Sequence, residues 1–182
     1  MSNTQKVALN GALAALAMIL SYVEMQIPAF FAVPGVKLGL TNIVVLVALY
    51  VPGVKLGLTN IVVLVALYVL GEKNAFFINV VRIVVVSILF GNIMGFAFSI
   101  AGGMLSTLVM ILLKKTSCFS VTGVSVAGGI THNVGQIIVA MILLNTRAII
   151  WYLPVLWISG IISGAVIGIV GALVCSRIVI KE

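Results

Sequence analysis

The chain has 182 residues, of which 63% are hydrophobic and 7% are charged, and its formal net charge is +7. Soluble domains carry roughly 25% charged residues, so this composition excludes a water-soluble globular domain and predicts an integral membrane protein. The basic residues are not clustered among aromatic residues on a polar face, which argues against nucleic-acid binding.

Six apolar segments are long enough, or nearly long enough, to cross a bilayer core that requires ~20 helical residues. In chain order they are Val7 to Val23, a segment that ends near Leu70, Ala75 to Phe90, Gly95 to Leu113, Val121 to Leu144 and Ile149 to Ile180. Short loops join these segments. The sequence therefore predicts an all-α integral membrane protein with one domain over residues 1–182, built as a bundle of six transmembrane helices.

The second segment lies in a tandem repeat. Residues 33–50, VPGVKLGLTNIVVLVALY, are followed at once by an identical copy at residues 51–68. Unchanged copies indicate a recent duplication, so we expect one copy to be an insertion. Pro52 interrupts the apolar run of the first copy, because proline lacks an N–H and disfavours helix at the preceding residue. We therefore predict that the second copy spans the membrane and that the first lies at or dips into its outer face.

The positions of Lys and Arg predict the orientation of the bundle, since these residues are enriched on the cytoplasmic side. Six crossings from a cytoplasmic N-terminus place six of them inside and three outside. The inner set is Lys6, Lys73, Lys114, Lys115, Arg177 and Lys181, and the outer set is Lys37, Lys55 and Arg147. A seventh crossing would reverse this bias, so we predict that both termini are cytoplasmic.

Small residues recur at every fourth position in three helices, a pattern that lets helix backbones approach closely in lipid. The stripes are Gly160, Gly164, Gly168 and Ala172 in the sixth helix, Gly95, Ser99 and Gly103 in the fourth, and Ala8, Gly11, Ala12 and Ala15 in the first. Two interpretations remain open. The stripes pack within the bundle, or the stripe on the first helix docks a partner protein.

Polar side chains at membrane depth are costly and are therefore candidates for function. Arg82 lies near the middle of the third segment, with Asn79 one turn before it and Asn92 two residues beyond the segment's end. We predict that these residues contact a small-molecule ligand. Two alternatives remain: Asn79 forms interhelical hydrogen bonds, and Arg82 snorkels or pairs with Glu24.

The fifth segment carries the chain's one histidine, His132, with Asn133 beside it and Gln136 on the same helical face. We predict ligand contacts here too, with packing or interhelical hydrogen bonding as the alternative. The first loop offers further candidates. They are Lys55 and Asn60, or their copies Lys37 and Asn42.

The sequence lacks the catalytic and cofactor-binding motifs of several enzyme classes. Diphosphate chemistry with magnesium uses clustered Asp, and the chain has no Asp. No GxxxxGK[ST] phosphate-binding loop occurs, and the two cysteines, Cys118 and Cys175, show no metal-binding spacing. We therefore expect no catalytic residues, no metal and no cofactor.

Four ordered motifs carry a family resemblance over almost the whole chain. They are PGVKLGLTN, RxxxxSxLFGN from Arg82 to Asn92, SIAGGMLSTLVM at 99–110 and GVSVAGGITHNVGQ at 123–136. In these motifs the chain resembles the Gx transporter family, whose members are often labelled heptaprenyl diphosphate synthase component I. That family is similar to the S components of energy-coupling-factor transporters. Its pattern carries a single PGVKLGLTN segment, whereas this chain has two.

The resemblance implies a multi-pass subunit of the bacterial cytoplasmic membrane that binds a vitamin-like or cofactor-precursor molecule for uptake. Its implied partners are a transmembrane coupling protein and ATPase subunits. Two other functions remain open. One is a non-catalytic accessory subunit in polyprenyl diphosphate or quinone metabolism, and the other is a structural partner of a membrane redox complex.

Overall fold

The computed structural model describes residues 3–26, 58–90, 93–143, 145, 147, 150 and 153–179. Within these ranges the chain forms six α-helices and no strand, which confirms the all-helical prediction. The helices are α1 (Asn3–Gln26), α2 (Leu58–Val69), α3 (Glu72–Phe90), α4 (Ile93–Thr116), α5 (Val121–Leu143) and α6 (Leu153–Val179). The predictions for the first copy of the repeat, at residues 33–50, lie outside the described residues.

Four of the described helices are long and apolar enough to cross a membrane. Their apolar stretches are Asn3–Val23, Gly95–Thr116, Val121–Leu143 and Leu156–Ile178. Large apolar side chains also point outward, including Ile88, which is 77% exposed, and Ile142, which is 71% exposed. Such a surface is stable against lipid tails and costly in water, so the chain is a multi-pass membrane protein. The two further crossings, by α2 and α3, and the cytoplasmic termini stay predictions.

The other helices pack around α2. α1 contacts α3, α3 contacts α4, α4 contacts α5 and α5 contacts α6, while α2 contacts α1, α3 and α6. Residues 62–67 of α2 are all buried, so every face of this helix is covered. The second copy of the repeat therefore supplies the centre of the core.

A glycine in a left-handed conformation ends α2. Gly71 has φ +92°, and its N–H donates to Ala66 O at 3.0 Å, beside the bond of 2.8 Å from Leu70 N to the same oxygen. A side chain with a Cβ is disfavoured at this φ. The turn lets α3 begin immediately, with Glu72 in its first turn, where a carboxylate is stabilised by the helix dipole.

The glycines of α6 pack against the backbone of α5. A Cβ added at Gly129 of α5 would lie 2.5 Å from Gly160 O, and one added at Gly164 would lie 2.6 Å from Val126 Cα. A Cβ at Gly168 would lie equally close, 2.6 Å from Thr122 Cα. Packing within the bundle, the first of the two interpretations, is therefore confirmed for α6.

The stripe on α1 is different. Ala8, Gly11, Ala12 and Ala15 are all exposed, and a Cβ added at Gly11 would meet nothing within 4 Å. No described part of the bundle covers this face. Docking of a partner there stays a prediction.

Candidate functional site

Arg82 lies half-buried in the middle of α3, where its guanidinium joins two helices. Its Nη2 donates to Asn79 Oδ1 at 2.6 Å, and its Nη1 donates to the hydroxyl of Ser21 on α1 at 3.4 Å. The spacing of three residues between Asn79 and Arg82 places both side chains on one face of α3. The guanidinium is therefore held in one orientation between α1 and α3.

Asn79 connects this arginine to α4. The Asn79 side chain is 1% exposed, and its amide nitrogen donates to Gly103 O at 3.0 Å and to Thr107 Oγ1 at 2.8 Å. Its oxygen accepts from Arg82. Both amide donors and the acceptor are thus used within the bundle. This geometry favours the interhelical interpretation, because a ligand in direct contact with Asn79 would have to replace one of these bonds.

A second polar pair lies on α5. The Nε2 atoms of Gln136 and His132 are 3.0 Å apart, and both side chains are half-buried. They face Gly102 of α4, where an added Cβ would lie 3.0 Å from His132 Cε1 and 3.1 Å from Gln136 Cγ. The absence of a side chain at Gly102 therefore leaves the room that this pair occupies.

The two polar groups touch consecutive residues of α4. A Cβ at Gly102 would meet His132, and a Cβ at Gly103 would lie 3.3 Å from Asn79 Nδ2 and 3.6 Å from Arg82 Nη2. Both groups therefore lie at a similar depth, on two different faces of α4. The structure pairs Arg82 with Asn79 and pairs His132 with Gln136, but it does not merge them into one cluster.

The remaining predicted site residues lie apart from these pairs. Asn133 turns toward α6 and donates to Leu156 O at 2.7 Å. Asn60 is half-buried near the start of α2. Lys55 and Asn92, and the side chain of Glu24, lie outside the described residues, as do Lys37 and Asn42.

Four of the described residues carry buried hydroxyl groups that were not predicted from the sequence, namely Ser21, Ser106, Thr107 and Ser125. Ser21 and Thr107 bind Arg82 and Asn79, respectively, and Ser106 is buried with its Oγ facing Gly128 of α5. A signal for two of them was present. Ser106 and Thr107 follow the glycines at 102 and 103 by four residues and so share their faces of α4. Ser21 stands alone in an apolar run and gave no such signal.

A family model described as heptaprenyl diphosphate synthase component I matches residues 13–51 and 49–174. The two matched stretches meet at the junction between the identical copies. The second stretch contains all of α2 to α5, most of α6, and both polar pairs. Searches of curated proteins and of solved structures gave no match.

Proposed function

We propose, from the premise that this chain belongs to the heptaprenyl diphosphate synthase component I family, that it is a membrane subunit which binds a small molecule for uptake. The observation that carries this proposal is Arg82, a cation in the middle of a helix whose guanidinium is fixed by Asn79 and Ser21. A charge at this depth is costly, and its retention is explained if a ligand uses it.

The chemistry of the two polar pairs suggests the form of the ligand. A guanidinium offers up to five N–H donors in a planar fork that suits carboxylate and phosphate groups. The His132 and Gln136 pair offers further hydrogen-bonding groups at a similar depth. We infer a ligand with an anionic end for Arg82 and a neutral polar portion for the pair on α5. Because Asn79 already orients Arg82, binding would cost little side-chain entropy.

The exposed small residues of α1 suggest where a coupling partner would dock. In lipid, small residues allow a neighbouring helix to approach closely, and Ala8, Gly11, Ala12 and Ala15 are exposed. We propose that this stripe receives a transmembrane coupling protein that works with ATPase subunits.

A second candidate function follows from the family description. Its words "component I" suggest that members work with another component of a polyprenyl diphosphate synthase. In that case the chain would be a membrane accessory of an enzyme, and the polar pairs would position a prenyl substrate or stabilise the bundle.

Mass spectrometry of small molecules that copurify with the detergent-solubilised protein tests the uptake proposal. We expect wild type to retain a ligand that Arg82→Gln and His132→Ala lose, with helical content by circular dichroism unchanged. Arg147→Gln is the matched control, because it removes the same charge from an exposed residue. Retention of the ligand by Arg82→Gln, or loss of the fold, would contradict a binding role.

Coexpression separates the two candidate functions. A stable complex with a coupling protein and its ATPases, together with uptake that requires this chain, supports the transport subunit. Prenyl-chain elongation that depends on this chain supports the accessory subunit instead.

A further inference from the structure

Four basic side chains lie at helix ends on one side of the bundle. Lys114 and Lys115 are in the last turn of α4, Arg177 is in the last turn of α6, and Lys73 is in the first turn of α3. We call these four residues the basic end.

Contacts between helices establish that the four residues share one end. Lys115 Nζ lies 3.1 Å from Glu72 Oε2, which joins the end of α4 to the start of α3. Lys114 Nζ donates to Leu67 O at 2.6 Å, which joins the end of α4 to the end of α2. Ile178 of α6 and Leu113 of α4 both pack against the buried apolar cluster that contains Leu67 and Cys175. The last turn of α6 therefore lies at the same end of the bundle as the last turn of α4.

Two of these cations have partners in the protein, and positive charge remains. Lys114 satisfies one of the last carbonyls of α2, which have no partner within their own helix, and Lys115 pairs with Glu72 while 60% of its side chain stays exposed. Lys73 and Arg177 are exposed. The four cations of the basic end thus have one carboxylate, that of Glu72, among them.

The basic end lies where the apolar stretches of two helices stop. The membrane-spanning stretch of α4 ends at Thr116 and that of α6 at Ile178. About one turn before these ends along the helices, Leu112 is 61% exposed and Leu173 is 62% exposed. Because these leucines face lipid tails, the cations beside them lie at the level of the headgroups.

We propose that the basic end binds the phosphate headgroups of anionic phospholipids in the leaflet that it meets. Lysine and arginine form short, charge-assisted hydrogen bonds with phosphate oxygens. Near an anionic membrane surface, each such residue raises the binding constant for that surface about fivefold. Headgroups held there would also brace the turn between α2 and α3, since Lys114 and Lys115 contact both of its helices.

Native mass spectrometry of the full chain, released from micelles containing equal amounts of phosphatidylglycerol and phosphatidylcholine, tests this proposal. We expect wild type to retain phosphatidylglycerol in preference. Lys73→Gln and Arg177→Gln should each lower that preference several-fold, up to about fivefold, and high salt should weaken it by screening. The matched control is Arg147→Gln, since Arg147 is exposed between α5 and α6, at the opposite end.

Three results would overturn the proposal. One is equal retention of the two lipids by wild type. Another is a loss of preference in Arg147→Gln as large as that in Lys73→Gln. The third is displacement of the lipid by millimolar inorganic phosphate, which would indicate a site for free anions rather than for membrane lipid.

Discussion

The closest backbone approach between α5 and α6 makes Gly129→Ala the sharpest test of the packing. An added Cβ at Gly129 would lie 2.5 Å from Gly160 O, whereas ordinary contacts of a Cβ lie at 3.4–4 Å. The obstacle is a backbone atom, so no rotamer change relieves it. The two helices would have to separate locally.

The expected cost follows from this separation. A radial gap of ~0.5–1 Å forfeits a quarter to a half of each dispersion contact, and the loss would extend to the nearby contacts of Gly164 with Val126. Overpacking typically costs about 1–3 kcal/mol, while replacing a helical glycine by alanine returns roughly 0.5–1 kcal/mol. We therefore expect Gly129→Ala to lower the free energy of unfolding by about 1–2 kcal/mol.

Unfolding in mixed micelles by titration with sodium dodecyl sulfate, followed by circular dichroism, measures this change. Gly11→Ala is the matched control, because a Cβ there would meet nothing within 4 Å; we expect it to be neutral or slightly stabilising. If Gly129→Ala were as stable as Gly11→Ala, the close packing of α5 on α6 would be refuted.

Four further predictions concern the polar network, the topology, the stripe and the repeat. Asn79→Ala should lower the free energy of unfolding by about 3 kcal/mol, because it removes three hydrogen bonds and leaves their buried partner groups unsatisfied. A loss below ~1 kcal/mol in the same titration would contradict this role. Single cysteines at Lys73 and Arg147, in a chain without its native cysteines, should be labelled from opposite sides of the membrane, and labelling from one side would contradict the six-crossing topology. Gly11→Leu should leave stability unchanged but abolish copurification with a coupling protein, and a retained complex would argue against docking on this stripe. Deletion of residues 33–50 should leave the labelling pattern unchanged and stability equal or higher, and failure to insert would show that the first copy has become part of the fold.

Sequence reasoning succeeded where one helix determines the outcome. The spacing of Arg82 after Asn79, and of Gln136 after His132, predicted that each pair shares a helical face, and the structure joins both pairs by hydrogen bonds. Apolar length likewise located the six helices that the structure describes, although α1 begins at Asn3 rather than near Val7.

It was insufficient where two helices must meet. Helices in lipid are apolar on both their buried and their exposed faces, so periodicity does not reveal which face is buried. The bond from Asn133 to Leu156 O and the bond from Arg82 to Ser21 therefore had no signature in the sequence. For the same reason, the sequence did not predict that the two polar pairs lie on different faces of α4, one at Gly102 and the other at Gly103.

The buried position of α2 has a consequence for a chain that carries its sequence twice. Residues 62–67 fill the core, and residues 44–49 repeat them letter for letter. Side-chain packing in the core therefore cannot discriminate between a fold with residues 62–67 in the core and a fold with residues 44–49 in the same place. Any preference has to come from the residues that flank each copy, on either side.

The two copies differ at the turn. The second is followed by Val69, Leu70 and Gly71, and the first by Val51, Pro52 and Gly53. The N–H of Leu70 donates to Ala66 O at 2.8 Å, a bond that proline in that place lacks the hydrogen to make. That single bond is worth about 0.5–1.5 kcal/mol, a bias of roughly two- to tenfold. The ion pair of Glu72 with Lys115 adds to it, because only the second copy leads directly into α3.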